Sequence, residues 1–266
     1  MSGEAMHRNQ LFSLEGRVAL VTGGSRGIGA MVAAGLVANG ARVYITSRTA
    51  ADLEATAATL SADGGTCVPL VGDLASTAGI GRLADELEER EDALHVLVNN
   101  AAVQAQAEFD QFSERDWDKA LDLNLKSVFF TTQRLLPMLR AGATADHHAK
   151  VINMSSITAV KTGAAHDYSY RASKAGLNQL TRMLGKDLAG ENINVNAISP
   201  GFFKSEMTAF MFDNDAFYDR FKKTNPVPRE GRPEEIAGLA IYLASRAGNY
   251  MTGAVLDIDG GLRFVN

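Results

Sequence analysis

The sequence predicts a doubly wound α/β fold with a seven-stranded, mostly parallel sheet, helices on both of its faces and a small helical lid. Two observations predict this class. Short runs rich in β-branched residues alternate with longer segments of 3.6-residue periodicity, which favours βαβ units with right-handed crossovers. Several of the short runs are almost continuously apolar, which is typical of strands that are covered on both faces.

Seven short runs are predicted as strands, at residues 17–22, 41–46, 66–71, 94–98, 150–154, 193–198 and 254–258. Helical periodicity is clearest over residues 31–38, 53–60, 121–139 and 172–188. The sequence has no internal repeat and no linker, so we expect one domain over residues 1–266 with a flexible leader at 1–11. Residues 201–232 interrupt the alternation, and we expect them to form a helical substrate lid.

Composition excludes several classes of protein. The 266 residues carry a net charge of −5, and 46% of them are hydrophobic, which is typical of a globular protein with a sizeable core. The sequence has no basic stripe, so neither nucleic acid nor an anionic membrane is an expected partner. The single cysteine, Cys67, rules out an intrachain disulfide and fits a reducing compartment. The sequence also lacks a signal peptide and an apolar run of membrane-spanning length, so we expect a cytoplasmic protein.

A glycine-rich loop follows the first predicted strand and leads into a helix. Residues 22–29 read TGGSRGIG, with the spacing G-x-x-x-G-x-G. Glycines allow the backbone to approach a pyrophosphate closely, and the helix that follows offers its free N–H groups. The strand before and the helix after favour a Rossmann-type dinucleotide site over an ordinary strand–helix turn. We therefore expect cofactor contacts from Gly23, Ser25, Arg26, Gly27, Ile28 and Gly29.

The residues after the second predicted strand bear on the choice between NAD and NADP. An acidic side chain here usually binds the ribose 2′-hydroxyl of NAD, whereas an arginine accommodates the 2′-phosphate of NADP. This strand ends in Ser47 and Arg48, without a carboxylate between Arg42 and Ala51, and Arg26 lies in the glycine loop. Two guanidinium groups facing a phosphate favour NADP(H) over NAD(H). The alternative is that Arg48 is a solvated residue at a helix start.

Further short motifs follow along the chain. They are Asp73-Leu74 after the third strand, Asn99-Asn100-Ala101 after the fourth, Asn124 in a helix, Ser155-Ser156 after the fifth strand, Tyr170-Arg-Ala-Ser-Lys174, Pro200-Gly201 after the sixth strand, and Asp259-Gly-Gly261. In this order and spacing, the chain resembles the short-chain dehydrogenase/reductase family over nearly its whole length. The resemblance implies an enzyme that moves a hydride between a nicotinamide cofactor and a carbonyl or alcohol carbon.

The resemblance also implies a catalytic set of Asn124, Ser156, Tyr170 and Lys174. Tyr170 and Lys174 are four residues apart, so a helix places them on one face. An ammonium about 4 Å from the phenol would stabilise the phenolate by roughly 4 kcal/mol at an effective dielectric of 20, which predicts a lowered tyrosine pKa. Tyr170 is then expected to exchange a proton with the substrate oxygen, and Ser156 to hydrogen-bond that oxygen. Lys174 would hold the nicotinamide ribose, and Asn124 would position a water that links Lys174 to solvent.

Other cofactor contacts follow from the resemblance alone. They are expected from Asp73, Leu74, Asn100, Ala101, Tyr170, Lys174, Pro200 and Gly201. The chain departs from the usual family pattern at Ala102, where glycine is commoner, and the gap from Ser156 to Tyr170 is one residue longer than in many members. Ser155 remains an alternative to Ser156 as the catalytic serine.

The predicted lid is rich in phenylalanine and methionine, which indicates an apolar pocket wall. Packing of the lid onto the body, or onto another subunit, explains these residues equally well. Substrate contacts are expected from Ser156, His166, Phe202, Phe203 and Met207. His166 and Asp167 could bind a polar substrate group or simply lie on the surface. No group of potential ligands has the spacing of a metal site.

Within the family, the segments 199–208 and 250–253 resemble the branch of 3-oxoacyl-thioester reductases, which includes the reductase linked to rhamnolipid synthesis. This implies NADPH-dependent reduction of a ketone, first of all a 3-oxoacyl thioester carried on acyl carrier protein or CoA. Sugar-acid and polyol dehydrogenases have similar sequences and are the second hypothesis. A catalytically silent NADP-binding regulator is the third. The family resemblance further implies a homotetramer, with residues 117–139 and 172–188 packing between subunits.

Overall fold

The computed structural model describes residues 8–163 and 165–265. Within these residues, seven strands form one sheet in the order β3-β2-β1-β4-β5-β6-β7, and all neighbouring strands are parallel. The strands are β1 Val18–Thr22, β2 Arg42–Ser47, β3 Thr66–Val71, β4 Val96–Asn99, β5 Ala149–Met154, β6 Ile193–Pro200 and β7 Val255–Ile258. The predicted doubly wound fold is therefore confirmed, and each predicted strand lies within two residues of the observed one.

Helices connect the strands and cover both faces of the sheet. They are α1 Arg8–Phe12, α2 Gly27–Ala38, α3 Ala50–Ser61, α4 Thr77–Glu88, α5 Glu114–Leu121, α6 Ser127–Arg134, α7 Leu136–Gly142, α8 Tyr168–Leu188, α9 Ala209–Phe212, α10 Asp215–Thr224 and α11 Pro233–Ala244. On one face, buried side chains of α2, α3 and α11 such as Leu36, Leu53 and Ile236 form a core against the strands. On the other face, α4 and α7 contribute residues such as Leu83 and Leu139.

The direction of strand addition reverses between β1 and β4. The chain builds β1, β2 and β3 outward on one side and then returns to place β4 on the other side of β1. Such a switch point leaves a crevice beyond the carboxyl ends of the two central strands. Thr22 ends β1 and Asn99 ends β4, so the glycine loop and the loop after β4 meet at this crevice.

The segment predicted as helical over 121–139 is interrupted twice. Asp122–Lys126 forms a π-helical turn, and the chain breaks again at Leu135, two residues before Pro137. Proline lacks the N–H that would continue the hydrogen-bond ladder of the preceding helix, which explains the second break. Of the predicted leader, residues 1–7 lie outside the described residues, and the helix α1 begins at Arg8.

Lys150, at the start of β5, is a buried lysine at the end of the sheet away from the crevice. Its side chain is 2% exposed, and its Nζ donates to Oδ1 of Asn194 at 2.9 Å and to Oδ1 of Asn249 at 2.8 Å. Burial lowers the pKa of Lys150 to about 7. The folded protein therefore disfavours the ammonium form, whereas an unfolded lysine keeps its proton up to about pH 10.4.

We expect the free energy of unfolding to rise from about pH 7 to about pH 10. In this window the unfolded chain binds protons that the folded chain has released, so raising the pH favours folding. Lys150→Met should reduce the slope by up to about 1.4 kcal/mol per pH unit, the limit for one proton. Urea unfolding of both proteins at pH 7, 8 and 9 measures this difference. Identical slopes would contradict the expectation.

Candidate active site

The glycine loop forms a cradle with the loop after β4. Gly23 and Gly27 have φ angles of 65° and 54°, in the left-handed region that favours glycine. A Cβ on Gly29 would lie 2.3 Å from the carbonyl oxygen of Gly23 and 2.5 Å from Nδ2 of Asn100. That Nδ2 donates to the carbonyls of Thr22 at 2.8 Å and Gly23 at 3.1 Å. The glycine loop is thus packed closely against Asn100. Toward the crevice it presents backbone without side chains, together with the N-terminus of α2.

The other predicted cofactor residues lie around the same end of the sheet. Each of them lies at the carboxyl end of a strand or within the first residues that follow it. They are Ser25 and Ile28 after β1, Ser47 and Arg48 at the end of β2, Asp73 and Leu74 after β3, Asn100 and Ala101 after β4, and Pro200 and Gly201 at the end of β6. Arg48 is exposed there, as a residue that meets a ligand phosphate must be in the free protein.

Arg26 is engaged by the insertion that follows β6. Its Nη1 lies 2.8 Å from Oε2 of Glu206, and both side chains are more than 60% exposed. A Cβ on the adjacent Gly27 would lie 3.3 Å from Cβ of Ser205. The first part of the 201–232 insertion therefore rests directly on the glycine loop, a contact that the sequence did not predict.

The side chains of Ser156 and Tyr170 come together beyond β5. Ser156 is the second residue after β5, and Tyr170 lies in the first turn of α8. Burial raises the pKa of Tyr170 to about 12, and the neighbouring Ser156 hydroxyl acts in the opposite direction. Oγ of Ser156 also accepts hydrogen bonds from the backbone N–H and the hydroxyl of Thr158, at 3.2 and 2.9 Å. Tyr170 therefore holds its proton at neutral pH, as a proton donor requires.

The neighbouring Ser155 is turned into the protein. Its hydroxyl donates to Oδ1 of Asn178 in α8 at 2.5 Å, and the residue is 3% exposed. Between the two serines that the sequence left open, the structure thus places Ser156 beside Tyr170 and Ser155 in a structural contact with α8.

Lys174 hydrogen-bonds to the backbone and lies over the Tyr170 ring. Its Nζ donates to the carbonyl of Met154 at 2.6 Å and lies 5.5 Å from the centre of the Tyr170 ring. Burial lowers the pKa of Lys174 to about 7. The expectation that the ammonium would lower the pKa of Tyr170 was wrong, because burial of the phenol dominates and raises that pKa.

Asn124 is fully buried in the π-helical turn. Its Oδ1 accepts from the backbone N–H of Val103 at 2.8 Å, and its Nδ2 donates to the carbonyl of Val103 at 2.9 Å and to Oγ of Ser173 at 3.1 Å. The side chain therefore ties the loop after β4 to α8. A π-helical turn interrupts the regular hydrogen-bond ladder and is frequently found at functional sites.

Phe202 belongs to an aromatic cluster beside the Ser156 loop. Its ring centre lies 6.3 Å from that of Phe217 and 5.3 Å from that of Phe221. Phe221 packs in turn with Ile157 and Leu262. Ile157, Phe221 and Leu262 are buried, so Phe202 and Phe217 form the accessible part of this cluster. Because Ile157 directly follows Ser156, the cluster lies close to the hydroxyl pair.

The other predicted substrate residues are placed differently. Phe203 is 2% exposed and belongs to the core, where its ring fills the space that a side chain on Gly231 would need. Met207 lies at the surface, 41% exposed. His166 is also exposed, and its Nδ1 is 3.2 Å from a carboxylate oxygen of Glu108. The structure therefore brings Phe202, but not Phe203, to the aromatic cluster.

Sequence reasoning overlooked the supporting role of Thr22. Its hydroxyl accepts hydrogen bonds from the backbone N–H groups of Asn100 and Ala101, at 2.9 and 3.0 Å. The same hydroxyl donates to the carbonyl of Val98 at 3.3 Å. Thr22 thereby fixes the loop after β4 against the end of β1. A hydroxyl residue directly before the glycine loop was the available signal.

Other kinds of site find no support in the part of the chain that the structure describes. No group of three or more His, Cys, Asp or Glu side chains there is arranged to hold a metal ion. No helix within residues 8–163 and 165–265 has the length and apolar character needed to cross a membrane. Cys67 is free and buried, and burial raises the pKa of its thiol to about 11.

Relatives of known activity resemble this chain over almost its whole length. The rhamnolipids biosynthesis 3-oxoacyl-[acyl-carrier-protein] reductase of Pseudomonas aeruginosa is 48% identical over 250 residues, which is 94% of this chain and 97% of that protein. Gluconate 5-dehydrogenase of Gluconobacter oxydans is 33% identical over 260 residues, which is 97% of this chain and 98% of that protein.

Solved structures of similar proteins also match this chain over almost its whole length. The Pseudomonas aeruginosa RhlG/NADP active-site complex matches with a TM-score of 0.92 and 48% identity, over 97% of this chain and 100% of that one. A gluconate 5-dehydrogenase from Burkholderia cenocepacia in complex with NADP and tartrate matches with a TM-score of 0.89 and 34% identity, over 96% and 98% of the two chains. The model of a family described as Enoyl-(Acyl carrier protein) reductase matches residues 23–263. The chain belongs to the short-chain dehydrogenase/reductase family.

Proposed function

We propose that this protein is an NADPH-dependent oxidoreductase that reduces a ketone, and that the ketone is a 3-oxoacyl thioester. One observation carries the proposal. The hydroxyl-bearing side chains of Ser156 and Tyr170 lie together at the same end of the sheet as the glycine cradle, with Lys174 buried behind them. A proton donor and a dinucleotide cradle side by side are what a carbonyl reductase needs.

The residues present fit NADPH. The cradle at Gly23, Gly27 and Gly29 would offer backbone N–H groups and the start of α2 to a pyrophosphate, and it has no room for a side chain at Gly29. Arg26 and Arg48 are the cations that would hold the 2′-phosphate. Two of the similar structures are described as NADP complexes. We therefore assign NADP(H) rather than NAD(H).

NADPH supplies the hydride when it is bound in the cradle. Tyr170 donates its phenolic proton to the carbonyl oxygen, so that the ketone becomes an alcohol by addition of one hydride and one proton. Ser156 donates a hydrogen bond to the same oxygen and stabilises the charge that develops on it. Lys174 orients the nicotinamide ribose. Asn124 fixes the loop after β4 against α8 and thereby keeps this arrangement rigid.

The substrate assignment rests on the aromatic cluster and on the relatives. Phe202 and Phe217, which pack over the buried side chains of Phe221, Ile157 and Leu262, give an apolar surface near the Ser156 loop that suits an acyl chain. The relative that is 48% identical is a 3-oxoacyl-[acyl-carrier-protein] reductase. The two gluconate 5-dehydrogenases described above are 33% and 34% identical, and they make oxidation–reduction of a sugar acid or polyol the second candidate. A silent NADP-binding regulator would not need Ser156 and Tyr170 in contact.

The test is an assay of NADPH and NADH oxidation with three ketones. These are a 3-oxoacyl group on acyl carrier protein, the same group on CoA, and 5-keto-gluconate. We expect NADPH-specific turnover of a thioester, and the ratio of kcat/KM for the two carriers identifies the preferred one. Turnover of the keto acid alone would replace the substrate assignment. Tight NADPH binding without turnover of any ketone would favour the regulator.

Replacing Glu206 should strengthen NADPH binding. In the free protein this carboxylate forms an ion pair with the Arg26 guanidinium, which would otherwise be available to bind the 2′-phosphate. We expect Glu206→Gln to lower the Kd for NADPH by about 2- to 5-fold, the range for an exposed ion pair, and to leave the Kd for NADH unchanged. Fluorescence titration with each cofactor measures both constants. Asp219→Asn, which removes another lid carboxylate paired with Lys222, is the matched control. An equal effect on NADH would exclude competition with the 2′-phosphate.

We further propose a homotetramer that is held together in part by the outer surface of α6 and α8. Leu121, Leu125, Phe129, Phe130 and Leu180 line an apolar groove there. Phe129 is 36% exposed and the four leucine and phenylalanine residues beside it are partly exposed, and a contiguous apolar patch of this kind often marks a surface that another protein chain covers. Light scattering should give four times the mass of one chain, and Phe129→Glu should reduce it. A monomeric wild type would exclude this assembly.

We also propose that residues 1–266 act as one catalytic domain, with 201–232 as its substrate lid. The Arg26–Glu206 ion pair supports the lid, because it joins the insertion to the cofactor cradle.

A cytoplasmic location is consistent with a single, buried, free cysteine. Fractionation of cells that express the protein at its native level would test the location.

A further inference from the structure

Asp167 is a buried carboxylate one helical turn before Tyr170. It is 1% exposed and directly precedes α8, yet its side chain does not cap that helix. It accepts hydrogen bonds instead from Nε of Arg171 and from Nε2 of Gln104, the latter at 2.8 Å. A buried carboxylate is costly unless it is paired and hydrogen-bonded, so its partners decide where it can lie.

Arg171 connects this carboxylate to the loop after β5. Its Nη1 donates to the carbonyl of Lys161 at 2.5 Å, and Nζ of Lys161 donates to the carbonyls of Leu262, at 2.8 Å, and Val265. The first turn of α8 is thereby joined to the end of the chain beyond β7. The guanidinium also neutralises the carboxylate, which would otherwise oppose the negative charge that develops on the substrate oxygen.

Gln104 connects the same carboxylate to the loop after β4. Asn124 holds this loop at Val103, and Asp167 holds it at the very next residue. A further hydrogen bond runs from the N–H of Ala107 to the carbonyl of His166, at 3.2 Å. The segment 103–107 is thus fixed on one side by the π-helical turn and on the other by the start of α8.

We infer that Asp167 is a positioning residue, which with Gln104 and Arg171 holds the Tyr170 turn of α8 in register with the 103–107 loop. The inference rests on the proposed ketone reduction. Tyr170 is the third residue after Asp167, so any rotation of the first turn of α8 moves its hydroxyl. A misplacement of about 1 Å can cost on the order of 100-fold in rate.

The test compares Asp167→Asn, Gln104→Leu and the double variant with wild type. Glu86→Gln is the matched control, because it breaks an i,i+4 pair between Glu86 in α4 and Arg90 in the turn that follows. The measurements are kcat, KM for the ketone, Kd for NADPH, and hydrogen exchange of segment 103–107. We expect Asp167→Asn to lower kcat by about 10- to 100-fold and to leave the Kd for NADPH within about twofold. Exchange over 103–107 should be faster in Asp167→Asn and Gln104→Leu, and unchanged in Glu86→Gln.

The double variant provides the sharpest comparison. If both residues act through one contact, Asp167→Asn with Gln104→Leu should be no worse than Asp167→Asn alone. Additive losses, an unchanged kcat, or a fall in kcat matched by an equal loss of NADPH binding would each overturn the inference. If Asp167→Asn does not fold, the Gln104→Leu variant alone tests the inference. An unchanged kcat together with unchanged hydrogen exchange over 103–107 in that variant would overturn the inference. Absence of ketone turnover in the wild type would instead reject the proposed function, and the exchange data would still test the contact.

Discussion

Tyr170→Phe should lower the kcat of ketone reduction by about 100- to 10,000-fold, with a much smaller effect on the Kd for NADPH. The substitution removes only the hydroxyl, and the ring keeps its place in the first turn of α8. Because burial raises the pKa of Tyr170 to about 12, the side chain is protonated at neutral pH and can donate to a carbonyl oxygen. Losing a general acid costs between about 100-fold and 10,000-fold in kcat. We expect a loss in this range, measured by NADPH oxidation at saturating ketone.

Tyr168→Phe provides the control for this prediction. Tyr168 lies two residues earlier in the same turn, and its ring packs edge-on against Phe109 and Phe112, at 5.8 and 5.6 Å between ring centres. Removing its hydroxyl should change kcat by less than about threefold. If the Tyr170 variant kept more than a tenth of the wild-type kcat, another group would have to donate the proton.

Gly29→Ala should remove NADPH binding almost completely. The new Cβ would lie 2.3 Å from the Gly23 carbonyl oxygen and 2.5 Å from Nδ2 of Asn100, so the loop must move away from the start of α2. Overpacking of this kind costs about 1–3 kcal/mol, which corresponds to about 5- to 150-fold in Kd if the whole energy is lost from the cofactor-bound state. We expect the Kd for NADPH to rise by about 100-fold, as measured by isothermal titration.

Gly81→Ala is the matched control, since Gly81 lies within α4 and a Cβ there would meet nothing within 4 Å. Alanine should stabilise this helix by about 0.5–1 kcal/mol and leave the Kd unchanged. If Gly29→Ala bound NADPH as tightly as wild type, the phosphates would have to lie elsewhere than in the cradle.

Most of the fold follows from local sequence signals. Runs such as Val18–Thr22 are buried throughout and almost continuously apolar because both faces of the sheet are covered, and such runs can be recognised without tertiary information. The π-helical turn at Asp122–Lys126 was not predictable from local signals, because Asn124 within it contacts Val103 and Ser173. Those partners are distant in sequence.

The sequence predicted which residues form the candidate site, but it did not predict their hydrogen-bond partners or the direction of their pKa shifts. Periodicity places Tyr170 and Lys174 on one helix face, but it cannot tell that Lys174 turns to the Met154 carbonyl. Composition marks the insertion as aromatic, but it cannot separate Phe202, in the cluster beside Ser156, from Phe203, in the core. For Lys174 and for the two phenylalanines, the sequence does not show which side chains become buried, because burial depends on the packing of the whole chain.

The order of the strands has a consequence for how the protein avoids sheet-to-sheet aggregation. It leaves β3 and β7 at the two ends of the sheet, where unpaired N–H and C=O groups can recruit a strand from another molecule. β3 carries Pro69, opposite Ile45 of β2, and proline is tolerated in a strand where its missing N–H faces solvent. The β3 edge therefore lacks one backbone N–H donor, which disfavours pairing with a strand of another molecule. β7, Val255–Ile258, has no proline, so its edge can still pair with such a strand.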